Sequence, residues 1–361
     1  MHDIPQGFTI FREDLEHVSK QLDAVWPNLR GARIFITGGT GFFGIWLLES
    51  LLWVNQTREL GIHLAVLSRA PERFLNERAP HLRRRQGLSF VAGRLTDFDI
   101  PAEPCTHILH AASETNLEKT GDWAERHLTS AIDGTRRVLE MAVEHQCKSM
   151  LVTTSGAVYS QADSIVGQHR VEGPMGVADF VSERSVYSQA KRTMEIMTAI
   201  AAQKHGFNAL IARCFAFVGP YLSLDGNYAI GNFMRDALRE REIVVGGDGT
   251  PLRSYLYAAD LVVWLLTILV RGRSGRPYNV GGHQPISIGD LARTVAAMAG
   301  RPESAVTIRD TPVPGAIPSA YLPSLARAEK DLGLRVAIPM EEAILRTLAW
   351  HRKQRGMSGA Q

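Results

Sequence analysis

The sequence predicts an α/β fold, a doubly wound parallel sheet carrying a smaller C-terminal lobe. Three observations predict it. From Arg33 onward, short apolar strands alternate with long helical patterns; a glycine-spaced turn joins the first of these strands to a helix; and the alternation stops after Gly219-Pro220, where a loop rich in Gly and Asp begins. Strands separated by helices need crossover connections, and such crossovers are right-handed and lay the strands parallel.

Taken in order, residues 10–26 place Leu15, Val18, Leu22 and Val25 at helical spacing, so an amphipathic helix is expected within an N-terminal extension covering 1–31. Strands are expected at Arg33–Thr37, Ile62–Ser68, Leu88–Ala92, His107–Ala111, Ser149–Thr154 and Ala209–Cys214. The run Arg83-Arg84-Arg85 reads as a solvated polar face. A helix carrying Tyr187 extends to about Lys204, another is expected near Asn232–Arg241, and Ser287 is placed to cap a helix over Ile288–Ala299. The domain organisation that follows is a sheet domain over 32–220, to which 254–282 returns, a lobe built from 221–253 and 283–355, and a frayed tail at 356–361.

Composition narrows the class. With 361 residues, 45% of them hydrophobic, the chain is globular, and its net charge of +3 is too mild to argue for nucleic acid or an anionic membrane. Cys105, Cys147 and Cys214 show no CxxC spacing, so neither a disulfide framework nor a zinc site is indicated, and the 12 histidines show no HxxxH ligand pattern. No metal is expected. The first residues lack a basic segment followed by an apolar one, and the greasiest run, Leu261–Val270, is about half the roughly 20 residues a bilayer span requires. A cytoplasmic protein without a membrane partner is expected.

The strand RIFIT runs directly into Gly38-Gly39-Thr40-Gly41-Phe42-Phe43-Gly44 and then an apolar helix. Glycines at 38, 41 and 44 permit a tight turn, close approach of backbone to a pyrophosphate and close helix packing, with the helix N-terminus facing the anion. This is the dinucleotide-binding Rossmann arrangement. The acidic residue that normally ends the second strand is replaced by Ser68-Arg69, and a guanidinium there suits a 2′-phosphate, a lean toward NADP over NAD. Asp97, after the third strand, is a candidate for the adenine end.

The fifth strand ends in Thr153-Thr154-Ser155, and downstream lies Tyr187-Ser188-Gln189-Ala190-Lys191. A spacing of four puts Tyr187 and Lys191 on one helix face, where the ammonium favours the phenolate. Free tyrosine titrates near 10 and needs such help to act as a base at neutral pH. Ser155, at the mouth of the strand, is placed to hold the same substrate oxygen.

Together these residues resemble the extended short-chain dehydrogenase/reductase family of nucleotide-sugar epimerases, dehydratases and 4-ketoreductases. The resemblance covers roughly 33–350 and rests on TGGTGFFG, His110-Ala111-Ala112, TTSGAVYS and YSQAK, then Arg213 with Val218-Gly219-Pro220-Tyr221, RSYLYAAD at 253–260 and YNVGG at 278–282. It implies Ser155, Tyr187 and Lys191 as the catalytic triad. It implies Gly38, Thr40, Gly41, Phe42, Phe43, Gly44, Ser68, Arg69, Asp97, Ala111, Ala112, Ser113 and Val218 around the cofactor, with Tyr187 and Lys191. Asn232 and Arg253 occupy the places that hold a sugar nucleotide's phosphates in the family, and relatives often form homodimers through the YxxxK helix and the helix before it.

The departures carry information. Dehydratases of the family usually have Asp-Glu after the catalytic hydroxyl, and decarboxylases keep the Glu; here the positions are Gly156 and Ala157, which transfer no proton. Family asparagines are replaced by Ala131 and Ala216. The expected activity is therefore redox chemistry at C4 of a nucleoside-diphosphate sugar, first a 4-epimerase, then an NADPH-dependent 4-keto-sugar reductase. A dehydratase or decarboxylase ranks lower, as does a catalytically silent dinucleotide-sensing protein.

Overall fold

The computed structural model describes residues 3–112, 122–159, 165–166, 169–173, 175 and 185–358. Seven strands form the central sheet: β1 (Arg33–Thr37), β2 (His63–Ser68), β3 (Leu88–Ala92), β4 (His107–His110), β5 (Ser149–Ser155), β6 (Asn208–Cys214) and β7 (Pro277–Val280). All pair in parallel, in the order β7-β6-β5-β4-β1-β2-β3. The six expected strands are present with ends shifted by at most a residue. The seventh, β7, comes from the segment expected to return to the sheet.

Parallel strands covered by helices on both faces read as continuous apolar runs, and β4 and β5 are buried at every position. The chain steps from β1 outward to β2 and β3, then crosses back to β4 on the other side of β1. Strand order therefore reverses between β1 and β4, and in open α/β sheets the crevice beyond the carboxyl ends at such a point is where ligands bind.

The helix Phe42–Arg58 follows β1 and is buried along most of its length. The N-terminal segment packs against it. Leu15, Val18, Leu22 and Leu29 are fully buried and belong to the same core as Ile34, Trp46 and Leu265. The expected single helix over 10–26 is split into Arg12–Gln21 and a short turn at Trp26–Leu29. Pro27 is the reason, since a residue without an N–H can open a helix but not continue one. The arginine run at 83–85 is only partly a solvated face: Arg85 lies over the Phe8 ring at 4.4 Å.

The second layer lies over the carboxyl edge of the sheet. The helix Ala229–Leu238 starts and ends three residues before the expected span, and Ile288–Met298 begins with the Ser287 side chain accepting from the Asp290 N–H. A five-stranded sheet that includes Leu252–Arg253 and Ala320–Pro323 brings Arg253 and Tyr321 side by side in register. Among the described residues, no helix is long and apolar enough to cross a membrane.

Candidate active site

A cavity of about 1550 Å³ opens at the switch point, running from Gly38 and Gly41 past Ser155, Tyr187 and Lys191 to Arg253 in the lobe. Typical small-molecule sites occupy roughly 300–1,000 Å³, so this volume suits two ligands end to end.

The floor is backbone at close range. Gly38 has φ 72°, and a Cβ there would meet the carbonyl of Ala111 and the nitrogen of Ala112 at 2.7 Å. At Gly44 a Cβ would strike Gly39 at 2.3 Å, which is how closely the helix Phe42–Arg58 sits on the loop. Thr37 Oγ1 accepts from the Ala112 N–H at 3.1 Å and lies 2.7 Å from His110 Nδ1, so the ends of β1 and β4 are tied together directly beneath the loop. Burial lowers His110 to about 3, keeping it neutral. These features fit a pyrophosphate-bearing dinucleotide: the glycines leave backbone exposed at close range and a helix N-terminus points along the loop.

Of the cofactor residues expected from sequence, Gly38, Thr40, Gly41, Phe42, Phe43, Ser68, Arg69, Asp97, Ala111 and Ala112 line the cavity. Gly44 serves packing, Val218 is buried beneath the wall, and Ser113 lies outside the described residues. Arg78 and Arg94, not anticipated, join Arg69 along the same stretch of wall, and Arg78 donates to the Thr40 carbonyl at 2.9 Å.

The three hydroxyls ending β5 divide their work. Thr153 reaches back to the His110 carbonyl at 3.4 Å, and Thr154 donates to Glu195 at 2.6 Å. Ser155 Oγ accepts from the Ala157 N–H at 3.1 Å and stands 3.2 Å from the Tyr321 hydroxyl. The helix Val186–His205 presents Tyr187 and Lys191 to the same space, with the Lys191 ammonium 5.9 Å from the centre of the Tyr187 ring and donating to the Thr153 carbonyl at 3.3 Å. Burial lowers Lys191 to about 8. That helix is anchored from below by a buried ion pair, Glu195 with Arg213, at 2.6 Å. Arg213 also donates to the Tyr159 hydroxyl at 3.0 Å, which donates to Asn279 at 2.7 Å, linking the helix to β6 and β7.

In the lobe, Arg253 lies over the Tyr321 ring at 5.8 Å and donates to the Leu252 carbonyl. It pairs with neither Asp248 nor Asp260. Asp248 accepts from Thr250, and Asp260 is held by His17 and the N–H groups of Ala337 and Ile338. The second expected phosphate residue, Asn232, does not line the cavity; its amide oxygen accepts from Arg235 at 3.3 Å. The helix begins at Ala229, three residues earlier than expected, and Tyr228, Ala229 and Ile230 line the cavity in place of Asn232.

Sequence reasoning missed His127 and Tyr321. His127 sits on the helix Trp123–Glu144, one turn before Ala131, with its ring 5.5 Å from that of Tyr187. Tyr321 arrives from a lobe strand 166 positions beyond Ser155. Neither belongs to a spaced motif, so no local signal marks them. Phe215 was missed as well. Its ring fills the space beside Gly156, where a Cβ would lie 2.5 Å from it.

A family model described as the NAD dependent epimerase/dehydratase family matches residues 34–281. UDP-glucuronic acid decarboxylase 3 of Arabidopsis thaliana is 26% identical over 329 residues, covering 88% of this chain and 87% of its own. Among solved structures, an epimerase from Methanothermobacter thermautotrophicus superposes with TM-score 0.76 at 19% identity, covering 96% of this chain and 97% of that one. A dTDP-glucose 4,6-dehydratase from Streptomyces venezuelae with NAD bound superposes with TM-score 0.75 at 21% identity, covering 90% and 98%. At these identities the structural likeness is one of fold.

Proposed function

The chain belongs to the NAD dependent epimerase/dehydratase family, and from that premise we propose that it catalyses redox chemistry at C4 of a nucleoside-diphosphate sugar, as a 4-epimerase. The observation that carries this reading is the pairing of a complete Ser155, Tyr187 and Lys191 set at one cavity with an inert position beside it. Gly156 and Ala157 stand where dehydratases of the family carry their acid and base. The Phe215 ring leaves no room for a side chain at 156. Similarity to decarboxylases and dehydratases in overall sequence therefore does not extend to the groups that perform elimination.

A bound nicotinamide would supply the hydride acceptor and donor. Gly38, Gly41 and the start of the helix Phe42–Arg58 would hold its pyrophosphate, and Asp97 the adenine end. Tyr187 takes the proton of the C4 hydroxyl and later returns it. Ser155 holds the same oxygen by hydrogen bond, and the Lys191 ammonium stabilises the phenolate. Arg253, free of a carboxylate partner among the described residues, offers its fork to the diphosphate of the sugar nucleotide. The exposed side chains Ile196 and Ile200 on the helix Val186–His205 support a homodimer through that face.

A second reading, an NADPH-dependent 4-keto-sugar reductase, is favoured by one observation. Ser68, Arg69, Arg78 and Arg94 give the adenosine end of the cavity a cationic wall that suits a 2′-phosphate. Mass spectrometry of ligands released from the purified protein, followed by NMR of a panel of UDP- and dTDP-hexoses, separates the two. A 4-epimerase retains nicotinamide and interconverts C4 epimers without net absorbance change at 340 nm, whereas a reductase consumes added NADPH stoichiometrically. In either case Tyr187→Phe lowers turnover by about 10²-fold or more while leaving nucleotide binding intact. Undiminished turnover in that variant would overturn the catalytic assignment.

A further inference from the structure

Cys105 and Cys147 are 42 positions apart and share no motif, yet their sulfurs lie 3.3 Å from one another. The sheet explains the meeting. His107 of β4 and Ser149 of β5 are register partners, and each cysteine stands two residues before its strand. Both thiols are buried, at 6% and 4% exposure.

A third group completes the cluster. His145 Nδ1 lies 3.3 Å from the Cys105 sulfur and accepts from the Cys105 N–H at 3.1 Å. His145 Nε2 lies 2.9 Å from the Pro101 carbonyl. A carbonyl only accepts, so Nε2 carries the hydrogen, and the single Nδ1 lone pair is shared between the Cys105 N–H and the Cys105 thiol. The Cys147 thiol donates to the Cys105 carbonyl at 3.1 Å, which aims its sulfur at the partner.

We propose that Cys105 and Cys147 form an oxidisable dithiol, a modification site that closes to a disulfide across β4 and β5 while leaving the sheet in place. Neighbouring strands run about 4.8 Å apart, within the range of about 4.4–6.8 Å between Cα atoms that a disulfide bridges. Side-chain rotation alone then brings the sulfurs to bonding distance. With hydrogen peroxide as oxidant, the Cys105 thiol passes its proton to His145 Nδ1 and its sulfur attacks a peroxide oxygen. The O–O bond breaks, and the departing hydroxide takes the proton from His145 as water, leaving a sulfenic acid. The Cys147 sulfur displaces the hydroxyl, which leaves with the Cys147 proton as a second water. Two thiols are oxidised and one peroxide is reduced.

The bond to Cys147 and burial push the Cys105 thiol up from its ordinary range. Reagents that need a surface thiolate are thereby excluded, and a small uncharged oxidant is admitted. The proposal is independent of the reaction at the cavity, because the cluster lies at the opposite, amino-terminal ends of β4 and β5.

The test uses the full-length protein, with and without hydrogen peroxide, analysed by intact mass, peptide mapping and thermal melting. The expected result is loss of two hydrogens, a Cys105–Cys147 cross-linked peptide released by dithiothreitol, and a rise in Tm on the order of 5 °C from the closed loop. Cys147→Ser and Cys147→Ala each lose both the cross-link and the rise. If the two thiols remain separately alkylatable after denaturation of the treated protein, or end as sulfinic acids, the proposal is overturned.

Discussion

In the proposed reaction Lys191 is the residue on which the chemistry turns, because burial lowers it to about 8 while its charge would make Tyr187 a usable base. Below about pH 8 the ammonium is present and the phenolate is favoured; as pH rises through that value the charge is lost. Turnover is expected to fall on this alkaline limb. Lys191→Met should lower kcat by about 10²–10³-fold and abolish the limb, whereas Lys191→Arg keeps the charge and moves the limb to higher pH. A pH–rate profile of each variant checks this, and an unmoved limb in Lys191→Arg would assign it to another group. Tyr187, Lys191 and Ser155 were legible from sequence because spacing along one helix and position at a strand end are local properties. Tyr321 and His127 were not, because they enter from a lobe strand and from the facing helix.

At the scale of elements, the N-terminal helix Arg12–Gln21 is held by buried polar groups as well as by its apolar stripe. Asp14 is fully buried, accepts from the Tyr257 hydroxyl at 2.7 Å and pairs with Arg346 of the last helix. Burial outweighs those partners and raises Asp14 to about 6 from an ordinary 3.8. A carboxyl with a raised folded-state pKa binds its proton more tightly in the native protein than in the unfolded chain. Its contribution is therefore greatest below about pH 4 and declines as pH rises to about 6. Relative to Asp14→Asn, the wild type should lose on the order of 2–3 kcal/mol across that window, read from urea midpoints at a series of pH values. A constant difference between the two would refute the coupling. The helical stripe itself was visible in the periodicity of Leu15, Val18 and Leu22. Its docking was not, since Tyr257 and Arg346 are both more than 240 positions away.

At the scale of the whole molecule, the sheet places one cavity at the point where strand order reverses, and the lobe closes it from above. One outer face is left apolar: Ile196 and Ile200, one turn apart on the helix Val186–His205, are 52% and 60% exposed. Light scattering coupled to size exclusion should give a dimer mass for the wild type and a monomer mass for the Ile196→Glu, Ile200→Glu double variant, with unchanged circular dichroism. A wild-type monomer would refute that interface. The order of residues along the chain was enough to specify the strand and helix alternation, the glycine loop, the Tyr187–Lys191 pair and the absence of a proton-transferring side chain at Gly156 and Ala157. Each of these depends on near neighbours, through side-chain periodicity, backbone freedom or residue chemistry. Tertiary packing was needed to decide that Phe215 seals position 156, that Tyr321 meets Ser155, that Asn232 stays off the cavity wall, and that Cys105 finds Cys147. Those contacts depend on strand register and helix phase, which are set by the packing of the whole core.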